Sequence, residues 1–515
     1  MIASSPVEHS VVMTSDVDDE LRAHLLRPDG QEDVCFALWH TSTGQHRTTA
    51  LLSAIVLPLA GERQVHGNAS FEPDYFLRAV AVAAEAGAGL ALLHSHPGSR
   101  GWQGMSRDDH DAEAGHAAQA SAVTGRPLIG LTLAGDGAWA SRTWHRAGDR
   151  NWQPEHARSV RVIGPRWQIS FHPELAPAPR PHPTHVRTTS AWGASVQADL
   201  GRLRVGVIGA GSVGALVAEG LARIGVGDIR VIDFDTLREH NLDRQLHATS
   251  DDLGQAKADV LARAIRRSIN PTDQRVDSCE FGVTEPEGFA AALDCDVLFS
   301  CVDRPWPRAV LNLIAYSHGI PVVDGGVAVR VPKGRFLGVD WRAHIAAPGR
   351  QCLECLGQYD PGLVEVERSG LLDDPTYFDG LPAGHALRRN ENVFSFSMGC
   401  ASLELAQFAV MLTEPNGIAD LGALHFHLTT GLTDRDDADC KPTCPYNHQL
   451  TSLGDDVPMH VTARHTAAEH ERATRSSGLA EETPAEPSNA GSSPARTRWL
   501  RRFVAAVPRR LFRRQ

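Results

Sequence analysis

Apolar runs of strand length, each closed by Gly, Pro or polar residues, mark the first 168 residues: VCFALW, ALLSAIVLPL, GLALLHSHP and LIGLTLAG. Between the last two, an Ala-rich stretch near 106–124 reads as a helix. From about 190 to 450 the rhythm changes. LRVGVIG leads into an amphipathic ALVAEGLARIG, then IRVIDFD, and later DVLFSCVD and IPVVDGG. Short apolar runs alternating with helical stretches predict a parallel sheet with crossover helices. ELAPAPRPHPTHVRTT, Pro-rich, separates the two regions as an extended linker. Past residue 452 Ala, Glu, Ser, Thr and Pro dominate, a composition that predicts disorder. The expected organisation is a mixed α/β domain over 1–168, a linker over 169–189, an α/β domain over 190–452 and a disordered tail over 453–515. There is no internal repeat.

Composition narrows the function classes. The chain has 515 residues, 42% hydrophobic and 22% charged, as a globular protein of two to four domains does. A net charge of -12 argues against a general nucleic-acid binder, which needs a basic surface to neutralise phosphates. No apolar run approaches the roughly 20 residues that span a bilayer, and the first residues, MIASSPVEHS, lack the basic and apolar parts of a secretory signal. Nine cysteines, four of them in two close pairs, favour metal ligation in a reducing cytoplasm over a disulfide framework.

Two constellations carry chemistry. The first is HSHPGSRGWQGMSRDD, residues 94–109. In a strand, His94 and His96 project to one face; Pro97 and Gly98 end the strand, and Ser106 with Asp109 has the spacing of a helix cap. Two imidazoles and a carboxylate can hold Zn²⁺ with one position open for water, which the metal would acidify while polarising a scissile carbonyl. A nearby carboxylate must still move the proton to the leaving amine. HSHP followed by Ser-x-x-Asp resembles the JAB/JAMM (MPN) metalloproteases, over roughly residues 20–150. That resemblance implies His94, His96 and Asp109 as zinc ligands, Ser106 as a support for the tetrahedral intermediate, and an upstream glutamate as general base. Glu32, just before VCFALW, is best placed, with Glu20 as the fallback.

The second constellation begins at GAGSVG. Gly209, Gly211, Ser212 and Gly214 follow a strand and open a helix, so they allow a tight turn and close phosphate approach. Such a turn suits NAD, FAD or ATP equally. Asp233 in DFD is spaced to hold ribose hydroxyls; Asn241 and Arg244 follow in NLDRQ, Lys257 in GQAKADV and Asp303 in SCVDRPWPR. A dehydrogenase has no need of this Asn, Arg and Lys set, whereas attack of a carboxylate on an α-phosphate does. The set resembles the ThiF/MoeB/HesA family and the adenylation domains of ubiquitin-activating enzymes, from about 190 to 450. The resemblance implies a Rossmann-like fold, ATP and Mg²⁺, ribose binding by Asp233, phosphate binding by Asn241, Arg244 and Lys257, and Mg²⁺ at Asp303. It also implies a homodimer through this domain, although the Arg-Tyr-x-Arg-Gln motif from which the family supplies a partner arginine is missing. Arg187 is the loose substitute.

Cys352 and Cys355 in CLEC and Cys440 and Cys444 in CKPTC have the spacing of a closed structural zinc site, with a redox pair as the rival reading. Cys400 and Cys301 are the candidates for a thioester nucleophile. The final 20 residues, RTRWLRRFVAAVPRRLFRRQ, place Trp499, Leu500, Phe503, Val504, Val507 and Leu511 on one face. That face suits an anionic membrane surface or an acidic partner; the rival is a solubilising tail.

Together these readings predict a bifunctional cytoplasmic enzyme of a prokaryotic-type ubiquitin-like system. It would adenylate the C-terminal glycine of a ubiquitin-like or sulfur-carrier protein and process or remove that protein by zinc peptidase action, with a separate conjugating enzyme as a further partner. Sulfur-carrier activation for biosynthesis, a scaffold with degenerate sites and a nicotinamide oxidoreductase are the alternatives.

Overall fold

The computed structural model describes residues 7–477, apart from 67, 149–150, 270–272, 374–390 and 458–462. The basic segment 496–515 therefore lies outside the described residues. The N-terminal region is built on a nine-stranded sheet, with a small two-stranded ribbon of Arg63–His66 and Asn68–Phe71 beside it. The sheet's strands run in the spatial order Gln168–Phe171, Ser159–Ile163, Glu8–Thr14, Arg47–Val56, Val34–Thr43, Gly89–His96, Ile129–Ala134, Trp139–Arg146 and Trp152–His156. VCFALW is continuously apolar because its strand is covered on both faces. Cys35, Ala37 and Trp39 pack with Met13, Leu21 and Trp139 on one side, and Phe36 and Leu38 pack with Tyr75, Phe76 and Trp144 on the other.

The second sheet has eight strands: Arg275–Cys279, Asp228–Ile232, Arg204–Ile208, Val297–Ser300, Val322–Arg330, Gly338–Ala346, Ala423–His427 and Leu432–Asp436. The first five pair in parallel and the last three join antiparallel. Helices Ser212–Ile224 and Phe394–Thr413 cover one face. The latter is long and apolar enough to cross a bilayer, which departs from the expectation that no run reaches that length. Its buried polar side chains explain it as a core helix: Gln407 donates to the carbonyls of Ala343 (3.1 Å) and Gly422 (2.7 Å), and Leu405 fills the space above Gly220.

Three expectations about the connections change. The sheet takes residues 169–171 from the linker, as part of the antiparallel edge strand Gln168–Phe171, and residues 186–192 form a helix. The two domains are docked, where a tether was expected. The turn between strands Val34–Thr43 and Arg47–Val56 seats on the second domain: Gln45 N–H donates to Ala290 O (3.1 Å), His46 N–H to Asp294 Oδ1 (2.9 Å), and Arg47 Nη1 to Asp296 Oδ1 (2.6 Å). Finally, the first part of the tail is ordered. Residues 454–456 lie against strand Val34–Thr43, with Asp456 bonded to His40 (2.8 Å) and Arg126 (2.8 Å). Helix Thr466–Ser476 is fastened to the second domain by Arg472 on buried Glu285 (2.6 Å) and Arg475 on Glu280 (2.7 Å). Polar composition did not prevent order here, because specific ion pairs replace the missing apolar face.

Candidate active sites and cysteine cluster

Strand Gly89–His96 ends at the first site. Alternation puts His94 and His96 on one face, with ring centroids 4.9 Å apart. Asp109 comes from the first turn of helix Arg107–Thr124, whose start is set by a capping box: Ser106 N–H donates to Asp109 Oδ2 (2.8 Å) and Asp109 N–H to Ser106 Oγ (3.1 Å). Buried Glu113 ties that helix to the sheet by accepting from Arg142 and from Trp144 Nε1 (2.6 Å). Asp109 thereby reaches both imidazoles, Oδ1 at 3.6 Å from His94 Nε2 and Oδ2 at 3.6 Å from His96 Nε2. These separations exceed a hydrogen bond, and are near the roughly 3.3 Å between neighbouring ligands around a tetrahedral ion with bonds of about 2.0–2.1 Å. The donor set fits Zn²⁺. Partial burial alone would push the Asp109 carboxyl up, but the two imidazoles outweigh it and hold it well below the usual carboxylate range. Asp109 in turn raises the His96 imidazole, and Glu32 acts in the same direction. Glu32 is brought close because Val34 is paired with His94, and Asp33 and Ser95 exchange two hydrogen bonds. Glu20 is an exposed residue on helix Ser15–Leu25.

In the second site the three glycines have separate physical roles. Gly209 has φ +96°, and a Cβ there would strike the Cys301 carbonyl. A Cβ at Gly214 would collide with the Gly209 carbonyl oxygen. At Gly211 a Cβ would meet nothing within 4 Å, so the helix N-terminus it caps is open, as a phosphate cradle requires. Ser212 Oγ is held by Asn392 (3.0 Å) and Ser397 (2.9 Å). Both oxygens of Asp233 accept backbone N–H groups, from Ala210 and Asp235. Burial, then the neighbouring Asp235, pushes the Asp233 carboxyl up to about 6. Asp235 was not singled out in the sequence, yet it takes Lys257 Nζ at 2.7 Å, and its side chain is 45% exposed. Burial would lower the Lys257 ammonium, but the carboxylates of Asp235, Asp233 and Asp303 together raise it. Asn241 Oδ1 accepts Arg238 N–H (3.0 Å), and Arg244 Nη1 donates to His240 O (2.6 Å) and Asp243 (2.8 Å). Gln245, quoted in NLDRQ but given no role, donates to Ala210 O inside the glycine turn. Arg187 is exposed on the helix Val186–Trp192.

Cys352, Cys355, Cys440 and Cys444 converge. Cys352 and Cys444 sulfurs are 3.6 Å apart, near the roughly 3.8 Å expected around tetrahedral zinc with bonds of about 2.3 Å. Cys440 Sγ accepts N–H from Cys352 (3.0 Å) and from Asn447 Nδ2 (3.2 Å), a setting for thiolate, and with the Cys352 thiol these lower its pKa to about 5. The cluster fits structural zinc. Cys400 is fully buried, and burial with Glu404 raises both its thiol and that of Cys301 well above the usual range. None of the nine cysteines is exposed; Cys400 is buried and Cys301 partly so.

The sites face away from each other. His94 lies level with Val34, whereas the turn at 44–46, at the other end of that strand and about 30 Å off, meets the second domain. That domain is met at the N-terminal ends of its strands, where Arg204 N–H donates to Asp296 (2.9 Å). The glycine turn lies at their C-terminal ends.

Residues 184–377 match the ThiF family. Over 153 residues the chain is 34% identical to the SAMP-activating enzyme E1 of Haloferax volcanii, covering 30% of this chain and 53% of the relative. It is 39% identical over 124 residues to the tRNA threonylcarbamoyladenosine dehydratase of Escherichia coli (24% and 45%), and 34% identical over 134 residues to the sulfur carrier protein ThiS adenylyltransferase of Bacillus subtilis (26% and 40%). The chain thus spans about half the length of the curated relatives it matches.

Proposed function

With residues 184–377 forming a ThiF-type adenylation domain, we propose that the chain activates the C-terminal glycine of a ubiquitin-like or sulfur-carrier protein as an acyl-adenylate, and that its N-terminal domain is a JAB/JAMM-type zinc peptidase acting at the same terminus. The observation that carries the first part is Lys257, paired with Asp235 at 2.7 Å, beside an open glycine turn. In the adenylation step a glycine carboxylate oxygen attacks the α-phosphorus of ATP. The bond from that phosphorus to the bridging oxygen breaks, and its electron pair leaves with pyrophosphate. Lys257 and Arg244 balance the charge on the leaving group, and the amide nitrogen of Asn241 donates to a phosphate oxygen. Asp303 would hold Mg²⁺, which supplies further neutralisation when bound. The relatives named for a SAMP and for ThiS support a small protein as the acyl donor.

With no cysteine exposed, the adenylate itself is the product handed on. This favours the sulfur-carrier version of the reading over a thioester relay on this chain.

At the first site His94, His96 and Asp109 would hold zinc, which when bound polarises the scissile carbonyl and acidifies water. Glu32 takes the proton of the attacking water and passes it to the leaving amine, and the Ser106 hydroxyl donates to the developing oxyanion. The sites face opposite ways, so the tag must be released between the two reactions.

ATP–pyrophosphate exchange tests the first activity with a panel of small Gly-Gly-ended carrier proteins: exchange should depend on the carrier and vanish in Asp303→Ala. Exchange surviving in that variant would overturn it. For the peptidase, His94→Ala should stop the cutting of carrier fusions, and cutting at the wild-type rate would remove the assignment.

A further inference from the structure

A third cluster of ligand atoms lies apart from both sites. His9 on strand Glu8–Thr14, His145 on strand Trp139–Arg146 and Glu155 on strand Trp152–His156 bring their side-chain donor atoms within 4.8 Å of one another. We propose that these three residues bind a first-row divalent cation, zinc being the natural occupant, which fastens the first strand of the N-terminal sheet to its last hairpin.

The geometry separates this cluster from an ordinary surface ion pair. Glu155 Oε2 is 3.5 Å from His9 Nε2 and 3.5 Å from His145 Nε2. An imidazole N–H donating to a carboxylate closes to about 2.7–2.9 Å. One oxygen equidistant from two imidazole nitrogens at 3.5 Å instead has the spacing of ligands sharing an ion, as at His94, His96 and Asp109. A second observation concerns His145. Its ring is 40% exposed, yet Nε2 itself is buried and makes no hydrogen bond. A buried nitrogen aimed at a carboxylate it does not bond is explained by a cation between them.

The topology shows why such a site would form. His145 pairs opposite Gln153, so Glu155 is its diagonal neighbour on the same face of an antiparallel pair, within reach of a long side chain. In sheet order, strand Trp139–Arg146 is five places from strand Glu8–Thr14, but the curled sheet brings His9 and His145 to 5.0 Å between ring centroids. The site is distinct from the peptidase trio. Ala140 lies level with His94 through Thr132, and His145 is about 16 Å further along the strand. Beside His9, Glu8 takes Arg204 of the second domain at 2.8 Å, so an ion here would also stiffen the seam.

The test counts ions bound to the full chain by native mass spectrometry, with Zn²⁺ titrated against a chromogenic chelator. Wild type should hold one more ion than Glu155→Gln or His145→Ala, with at least about tenfold weaker affinity at that site in the Gln variant. Asp109→Asn should lose a different ion, so Glu155→Gln combined with Asp109→Asn loses two. Glu155→Gln keeps the shape of a half-exposed side chain and so folds even where His145→Ala does not. The proposal is overturned if Glu155→Gln retains the wild-type count and affinity.

Discussion

Arg47 and Asp296 form an ion pair across the domain seam, Nη1 to Oδ1 at 2.6 Å, with side chains 1% and 0% exposed. Arg161, equally buried, approaches the same carboxylate at 3.5 Å. Burial would push the Asp296 carboxyl up, but Arg47 and Arg161 hold it well below the usual range. A charge trio this deep is stable only while complete. Asp296→Ala strands two guanidinium groups, at a cost of about 3–5 kcal/mol. In urea the variant should unfold in two transitions where the wild type shows one; a single unshifted transition would remove the seam from the account.

Gly211 and Gly214 separate nucleotide binding from folding. A Cβ at Gly211 meets open space, and its backbone is in the extended region (φ -78°). Gly211→Ala should therefore keep wild-type stability while ATP affinity falls about tenfold, or ~1.4 kcal/mol. Gly214→Ala, which collides with a carbonyl, should fail to fold or lose several degrees of Tm. Calorimetry with ATP titration on both variants checks the pair, and unchanged ATP binding in Gly211→Ala would place the phosphates elsewhere.

His318 sets an acid limit. Burial lowers its imidazole to about 3 from 6.5, and the ring bonds Ser42 of the other domain (2.9 Å). The unfolded chain takes up the proton first. The neutral ring's contribution is therefore complete above about pH 6.5 and drains away as pH falls toward 3, by at most on the order of 4–5 kcal/mol. His318→Gln should be less pH-sensitive between pH 6.5 and 4 in denaturant titrations. An equal slope in both proteins would assign the acid loss to other groups.

The cysteine cluster joins residues 352–355 to 440–444 beside buried Tyr316, whose hydroxyl donates to Arg350 O (3.0 Å). Stripping zinc with a strong chelator, or Cys440→Ser, should cost about 3 kcal/mol, or roughly 10 °C in Tm. Pyrophosphate exchange at low temperature should survive. A Tm unaffected by chelation would leave the four thiols without a metal.

The back-to-back sites predict complementation. A mixture of His94→Ala and Asp303→Ala chains should carry out both reactions at the rates of the intact sites. A mixture markedly slower than wild type in the combined assay would show that the terminus passes within one chain.

Local order and residue chemistry were legible in the chain. Strand runs such as VCFALW, the helix after Ser106, the glycine turn and the two cysteine pairs are set by periodicity, capping and steric demands, which act over a few residues. Tertiary structure decided what depends on distant partners. It turned Asp233 onto backbone amides and gave Lys257 to Asp235. It ordered helix Thr466–Ser476 through Glu280 and Glu285, and buried Cys400 in the core. It also brought His9 to His145 and locked the two domains through Arg47 and Asp296. Charges buried at such positions gain their worth only from groups many residues away, so no local pattern announces them.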